Sequence, residues 1–261
     1  METLVECFRG IPKSEAPELE IRLGTLTTDE RFCAGVGKQF FEQLEQDLLE
    51  CTTLVAEPGW VEVVDHHYAA SDGQEMRTRV TPDTDAIELR RQTIRKRPLQ
   101  RVRCAVLARL CDEVCRVSLA QEEVVTTPPS IVIETHVRIK QRRCFRDVRD
   151  GKTVWSYELS RTWSGAGYEA AEYQQHNTEP TYEVELELVD EGGVYTSARD
   201  AGEIARGVEH KVKLLLGQPS QDIEVVDDPV RRSKKGERAH ARAERARQGR
   251  PRQGAELLRR S

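Results

Sequence analysis

Along 181-TYEVELEL-188 a carboxylate stands at every second position: Glu183, Glu185 and Glu187. A strand alternates its faces, so these three point one way, roughly 7 Å apart, and Val184, Leu186 and Leu188 point the other. Other charges repeat the arrangement. Glu18, Glu20 and Arg22 share a face, as do Arg77 and Arg79, and Arg138, Lys140 and Arg142. Arg116, Ser118 and Glu122 form a further set, and Glu158 and Ser160 another. A half-solvated antiparallel sheet alternates polar and apolar residues in this way. Its wet face, however, ordinarily mixes signs, and here acids gather on some runs and bases on others. Like charges placed side by side repel, so such groups persist when something of opposite sign sits among them. Clustered carboxylate oxygens suit Mg2+ or Mn2+, hard cations with octahedral oxygen coordination. Arg and Lys suit phosphate oxygens. Acids on one wall and bases on another make a cavity for metal and polyphosphate.

Such a cavity needs strands that curl around it. Short alternating runs recur at 60–68, 75–80, 86–97, 113–125, 131–145, 153–163 and 181–189. Turn signals separate them: Asp72-Gly73, Thr81-Pro82-Asp83, Pro128-Pro129 and Asp150-Gly151. The spacing predicts one antiparallel sheet or barrel. An earlier strand, 18-ELEIRLGTL-26, is expected to end at Gly24. A helix is expected to follow, capped by Asp29, with Phe40, Phe41, Leu44, Leu48 and Leu49 as its apolar stripe. A last helix is expected at 197–216, capped by Ser197, with Ile204, Val208, Val212, Leu215 and Leu216 inward. If the charges line the inside of a barrel, the apolar residues must face outward against these helices. That inverts the usual barrel.

Composition narrows the alternatives. The chain has 261 residues, 38% hydrophobic and 33% charged, which allows one large domain or two small ones and is an ordinary length for a single all-β barrel. No apolar run approaches the roughly 20 residues a spanning helix needs, so no membrane partner is expected. The start, METLVECFRGIPKSE, lacks a basic stretch followed by an apolar core, so no signal peptide is expected. Seven cysteines, an odd number without a Cys-x-x-Cys pair, point to reduced thiols and away from zinc. His66 and His67 have no ligand spacing and read as surface or loop residues. No P-loop, Cys-x5-Arg signature or nucleotidyl-transferase lysine motif occurs. Residues 231–261 carry 12 Lys and Arg against three acids, a net +9, which leaves −14 on residues 1–230 from the overall −5. We therefore divide the chain into a folded domain, 1–228, and a basic tail, 229–261, expected to be disordered and suited to contact RNA.

The charged runs, taken in order, resemble the metal-dependent RNA 5′-triphosphatases of fungal and protozoan mRNA capping, in the triphosphate tunnel metalloenzyme superfamily. That family opens with a Glu-x-Glu strand, matched by Glu18-Leu19-Glu20, and closes with Glu-x-Glu-x-Glu, matched by Glu183, Glu185 and Glu187. Between them its Arg-(Ile/Val)-Ser run with a following Glu is matched by Arg116-Val117-Ser118 and Glu122. Its Arg-x-Lys-x-Arg strand is matched by Arg138, Lys140 and Arg142. The resemblance spans about residues 17–190. It departs where the family has Asp-Leu-(Thr/Ser) after an Arg: here Glu158-Leu159-Ser160 follows Ser156. The family's further basic strand is represented by Arg95-Lys96-Arg97, whose register stays open, since Arg95 and Arg97 share one face and Lys96 takes the other.

What the resemblance implies is an all-β-dominated fold: eight antiparallel strands closed into a tunnel, with a few outer helices. It implies removal of the γ-phosphate from triphosphate-ended RNA, the first step of cap formation, with Mg2+ or Mn2+ as cofactor. Glu18, Glu20 and Glu187 would bind the metal, with Glu185 and Glu158 holding its waters. Arg79, Lys140 and Arg142 would grip the γ-phosphate, with Arg77, Arg116, Arg138 and Lys96 as further phosphate contacts. Glu183 or Glu122 would orient or deprotonate the attacking water. The implied partners are 5′-triphosphate RNA and a separate guanylyltransferase or other capping component, and the implied location is the nucleus. NTPs and tripolyphosphate are further substrates that the resemblance allows. Two other readings stand beside it: a tunnel enzyme for tripolyphosphate or thiamine triphosphate, and a non-catalytic barrel that binds RNA or phosphate.

Overall fold

The structure, a computed structural model, describes residues 18–29, 31–70, 75–82, 89–106, 114–126, 132–189, 201–215 and 223–227. In chain order its elements are β1 (Glu18–Leu26), β2 (Phe32–Ala34), α1 (Lys38–Glu50), β3 (Leu54–Ala56), β4 (Val61–Ala70), β5 (Glu75–Pro82) and β6 (Leu89–Val106). They continue with β7 (Val114–Val124), β8 (Val132–Arg149), β9 (Lys152–Gly165), α2 (Tyr168–Asn177), β10 (Thr181–Leu188), α3 (Ala201–Leu215) and β11 (Ile223–Asp227).

Eight antiparallel strands run in the order β10-β9-β8-β4-β5-β6-β7-β1, and pairing of β1 with β10 closes the barrel. Three short strands are appended: β2 on β1, β3 on β8 and β11 on β6. The tightest hairpin joins β8 to β9 through Asp150 and Gly151. Both adopt positive φ, 51° and 74°, which is the geometry a two-residue turn needs to match the twist of its strands. The Asp72-Gly73 and Pro128-Pro129 turns lie outside the described residues, as do Ser197, Leu216 and the tail 229–261. Thr81 and Pro82 are still strand.

The barrel is inverted. Leu19, Ile21 and Leu23 of β1, Tyr157 and Leu159 of β9, and Val184 and Leu186 of β10 all point outward. There they join Phe41, Leu44 and Leu48 of α1 and Val208, Val212 and Leu215 of α3 in one buried cluster. A smaller cluster joins Val137 and Ile139 of β8 to Ala171 of α2. A buried ion pair, Lys211 Nζ to Asp147 at 2.8 Å, ties α3 to β8.

Three expectations change. The first strand does not stop at Gly24 but runs on to Leu26, because β2 pairs beside it. A Cβ on Gly24 would lie 2.1 Å from the Cys33 carbonyl and 2.7 Å from the Phe32 ring, so glycine is what admits this approach. The next helix begins only at Lys38, after Gly37. Asp29 instead takes part in a turn, where Thr27 Oγ1 donates to it at 2.5 Å, and Leu49 is exposed. Among the elements not anticipated, α2 buries only Ala171 and so shows no apolar stripe. Replacing an outward core residue should cost stability without touching the interior. Leu186→Ala should lower the unfolding free energy by about 2–5 kcal/mol, whereas Leu89→Ala, at a position 60% exposed, should change it by less than about 0.5 kcal/mol. Urea denaturation of both variants checks this.

Candidate active site

The inward faces gather the charges. Strand registers set Glu20 opposite Glu187, Arg22 opposite Glu185, and Glu185 opposite Glu158, so β1, β10 and β9 form one continuous acidic wall. Across the barrel, Lys140 stands opposite Val63 of β4, Asp65 opposite Arg79 of β5, and Arg79 opposite Gln92 of β6. The walls enclose a cavity of about 220 Å³. Glu18, Glu20, Glu122, Glu158, Glu185 and Glu187 line it, facing Arg77, Arg79 and Lys96. Its mouth lies where exposed Val124, Gln92 and Glu187 border it. Its inner end lies at Arg22 and Glu185, above Lys140 and Glu183, which are 1% and 5% exposed.

Most of the expected site residues therefore converge. Glu183, Arg138 and Lys140 stand beyond the lining, and Arg142 stands beside Glu158. Arg138 donates to Glu183 at 2.5 Å, and Thr162 Oγ1 donates to the other Glu183 oxygen at 3.1 Å. Lys140 Nζ lies 3.7 to 3.9 Å from Glu183, Glu185 and Glu158. Arg142 donates to Glu158 at 3.1 Å, and Ser160 donates to it at 2.9 Å. Arg116 falls outside the lining: its guanidinium stacks over the Phe32 ring, 4.5 Å from the centroid.

The open register of 95–97 is resolved. Lys96 is the inward residue, opposite Glu122. Its ammonium lies 2.5 Å from Glu18, 3.1 Å from Glu20 and 3.5 Å from Glu122. Lys96 is thus a clamp among carboxylates as well as a candidate phosphate contact. Two residues have no role in the sequence reading, although Arg22 shares the charged face of its strand. Arg22 pairs with Glu20 and, at 3.0 Å, with Glu185. Asp65, 1% exposed, binds the Arg79 fork through two bonds of 2.8 and 2.9 Å. The alternation that sets Asp65 with Val61 and Val63 was the available signal, but that face looks apolar. His66 and His67 are not loop residues. Both lie on β4, and His67 points inward to stack on His136 at 4.2 Å.

The electrostatics divide the acids. Burial works against ionisation of Glu185, but Arg22, with Lys140, Arg138 and Arg79, outweighs it and holds the carboxyl well below its usual range. Burial pushes Glu18 up to about 7, against the pull of Lys96. Glu187 is open to water at the mouth and enclosed by protein elsewhere. Burial and the charges of Glu122 and Glu20 push it up to about 7 as well.

Among the described residues, no three His, Cys, Asp or Glu side chains converge into a ready-made metal cage. The reason is visible: the Lys96 ammonium holds the central position between Glu18, Glu20 and Glu122. The donor set nonetheless suits a hard divalent cation, being all carboxylate oxygen. Lys96 marks the point where positive charge is needed, and the raised Glu18 and Glu187 are short of it.

Solved structures share this fold. The Pct1 RNA triphosphatase of S. pombe gives a TM-score of 0.55 at 16% identity, over 84% of this chain and 91% of that one. The same protein in complex with the Spt5 CTD gives 0.59 at 15% identity, over 84% and 92%. The capping enzyme triphosphatase of Mimivirus gives 0.53 at 10% identity, over 83% and 96%. No protein-family model matches this chain, and no curated protein does. The likeness is one of fold: the chain has the tunnel barrel of these RNA triphosphatases.

Two predictions follow from the pairs. In Asp65→Asn the Arg79 guanidinium loses its partner, and stability should fall by about 1–3 kcal/mol. Burial opposes ionisation of Asp65, but Arg79 holds its carboxyl below the usual range. The pair's stabilisation is therefore fully present above the unfolded value of about 3.9 and is lost as pH falls through the folded value. The gap between wild type and D65N, measured by denaturation, should be constant near neutrality and close in acid. Secondly, Lys96→Ala should tighten Mn2+ binding to the substrate-free protein, because the competing ammonium is gone. Calorimetry that found weaker or unchanged binding would place the metal elsewhere.

Proposed function

We propose that this protein hydrolyses the γ-phosphate from 5′-triphosphate-ended RNA, the first step of mRNA cap formation, with Mg2+ or Mn2+. The observation that carries the reading is a single cavity with Glu18, Glu20, Glu185 and Glu187 on one wall and Arg77, Arg79 and Lys96 on the other. A fold shared with RNA triphosphatases supports it.

Phosphoryl transfer depends on in-line positioning and on neutralising charge at the equatorial oxygens. A divalent cation held by Glu18, Glu20 and Glu187, with Glu185 and Glu158 behind it, would supply that neutralisation on the acidic side. Arg79, with Lys140 and Arg142 close by, supplies it on the basic side, and Arg77, two residues along β5 towards the inner end, takes further phosphate oxygens. Asp65 fixes the orientation of Arg79. The RNA stays outside the mouth, so the γ-phosphate is innermost and the leaving oxygen faces outward. Water attacks the γ-phosphorus from the inner side. The bond to the β–γ bridging oxygen breaks, its electron pair goes to the diphosphate end, and a proton leaves the water. Glu183 lies on that inner side, whereas Glu122 lies beside Arg77 and Lys96. Of the two water-orienting candidates, the position favours Glu183.

None of the residues lining the cavity is aromatic, so no platform for base stacking adjoins the reacting end, and recognition rests on the triphosphate itself. NTPs and tripolyphosphate are then expected as further substrates. The reading carries with it a guanylyltransferase partner, a nuclear location and RNA contacts from the basic tail.

The test is γ-phosphate release from triphosphate-ended RNA, with tripolyphosphate, thiamine triphosphate and ATP in parallel. Wild type should require Mn2+ or Mg2+. Glu18→Ala, Glu187→Ala and Arg79→Ala should each lose at least about 100-fold, the scale of removing one charge-stabilising group. Deletion of 231–261 should spare tripolyphosphate hydrolysis and weaken turnover of RNA. Full activity in Glu187→Ala would sink the metal assignment. Preference for a small triphosphate over RNA would move the protein to the small-molecule reading.

A further inference from the structure

The inner end of the tunnel is crowded. Past Arg22, inward side chains from β4, β7, β8 and β10 gather among the described residues. His67 and His136 are paired residues on β4 and β8, with rings stacked 4.2 Å apart. Arg138, two residues on from His136, reaches across to Glu183 at 2.5 Å. On the far side Arg22 and Arg116 are strand partners, and Arg116 covers Phe32 at 4.5 Å. Phe32 in turn occupies the space that glycine leaves at position 24. Were this end open, Glu183 and Lys140 would meet water from behind. They are instead 5% and 1% exposed, and Thr162 is 3% exposed. Arg116, Phe32, Arg138 and the two histidines take no part in lining the cavity, which ends before them.

We infer that the tunnel is blind: its substrate enters and its products leave by the one mouth at Val124 and Glu187, and orthophosphate leaves last. This rests on the triphosphatase reading for the identity of the products. The γ-phosphate is the innermost group of a triphosphate inserted end-on. After cleavage the orthophosphate lies between the Arg138–Glu183 layer and the diphosphate end, so the diphosphate must depart first. A tunnel open at both ends would let orthophosphate escape from the rear while the RNA was still held. The same closure limits cleavage to chain ends, since a polyphosphate cannot thread through and be cut internally.

The test needs no turnover. The full-length protein is loaded with labelled orthophosphate in the presence of Mn2+, then mixed with increasing unlabelled pyrophosphate, and loss of label is followed by rapid filtration. In a blind tunnel pyrophosphate at the mouth obstructs the exit, so the release rate falls in proportion to the share of mouths left free. A release rate that is independent of pyrophosphate, or rises with it, would overturn the inference, as would failure of orthophosphate to bind. Hydrolysis is read separately. A protein that retains phosphate behind pyrophosphate but releases none from RNA would lose the proposed function and keep the blind tunnel. One that hydrolyses RNA ends but releases phosphate unhindered would do the reverse.

Discussion

A charge taken out of water must be paired, and an inverted barrel takes many charges out of water at once. Moving a single carboxylate or ammonium into a protein interior costs several kcal/mol even after relaxation. The interior meets this by setting an acidic wall of β1, β10 and β9 against bases on β8, β5 and β6. Arg79 has Asp65, Arg138 has Glu183, Arg142 has Glu158, and Lys96 has three carboxylates. Arg79 with Asp65 and Arg142 with Glu158 pair within the β4–β5 and β8–β9 hairpins, whereas Arg138 with Glu183 and Lys96 with Glu18 and Glu20 reach past an intervening strand and need the sheet to curl. The Arg22–Glu185 ion pair crosses the seam where β1 meets β10 and Glu20 stands opposite Glu187, so charge pairing and closure of the barrel support each other.

Because the inside is polar, the hydrophobic drive has to come from outside the barrel. The outward faces of β1, β9 and β10 carry it, covered by α1 and α3. Large outward residues such as Ile21, Leu159 and Leu186 are almost wholly buried, while their sequence neighbours Glu20, Glu158 and Glu185 line the cavity. One-residue alternation thus separates the task of holding the fold from the task of holding a ligand. A slip in register of one residue would exchange the two faces completely, so the burial of Leu186 also fixes the aim of Glu185 and Glu187.

The strand faces were legible in the sequence because alternation is a local property, and so were most of the charged residues that converge. What escaped depended on contacts between distant segments. Lys96 could not be assigned a face until Glu122 was seen opposite it, near a bulge between Pro98 and Gln100 that shifts the later register. Asp65 shares its face with Val61 and Val63, so nothing local marked it as a partner for Arg79. Arg116 belongs to a motif that suggested phosphate, yet three-residue β2, too short to show any period, sets Phe32 beneath its guanidinium. The same short strand explains why Gly24 does not end β1. The residues gathered at the inner end come from several strands, and no single run of sequence contains them.

The pairing also governs how a polyphosphate can enter. The principal inward bases already have a carboxylate partner, so a triphosphate arriving alone would have to break those pairs and leave the acids uncompensated in the interior. A triphosphate arriving with a divalent cation poses a different exchange. The carboxylates of Glu18, Glu20 and Glu187 would turn to the cation, and the released Lys96 and the guanidiniums would turn to the phosphate oxygens. Glu18 and Glu187, both raised to about 7, are the groups for which added positive charge brings the largest gain. On the proposed reading, metal and phosphate would strengthen each other's binding through the shared need of the two walls for compensation.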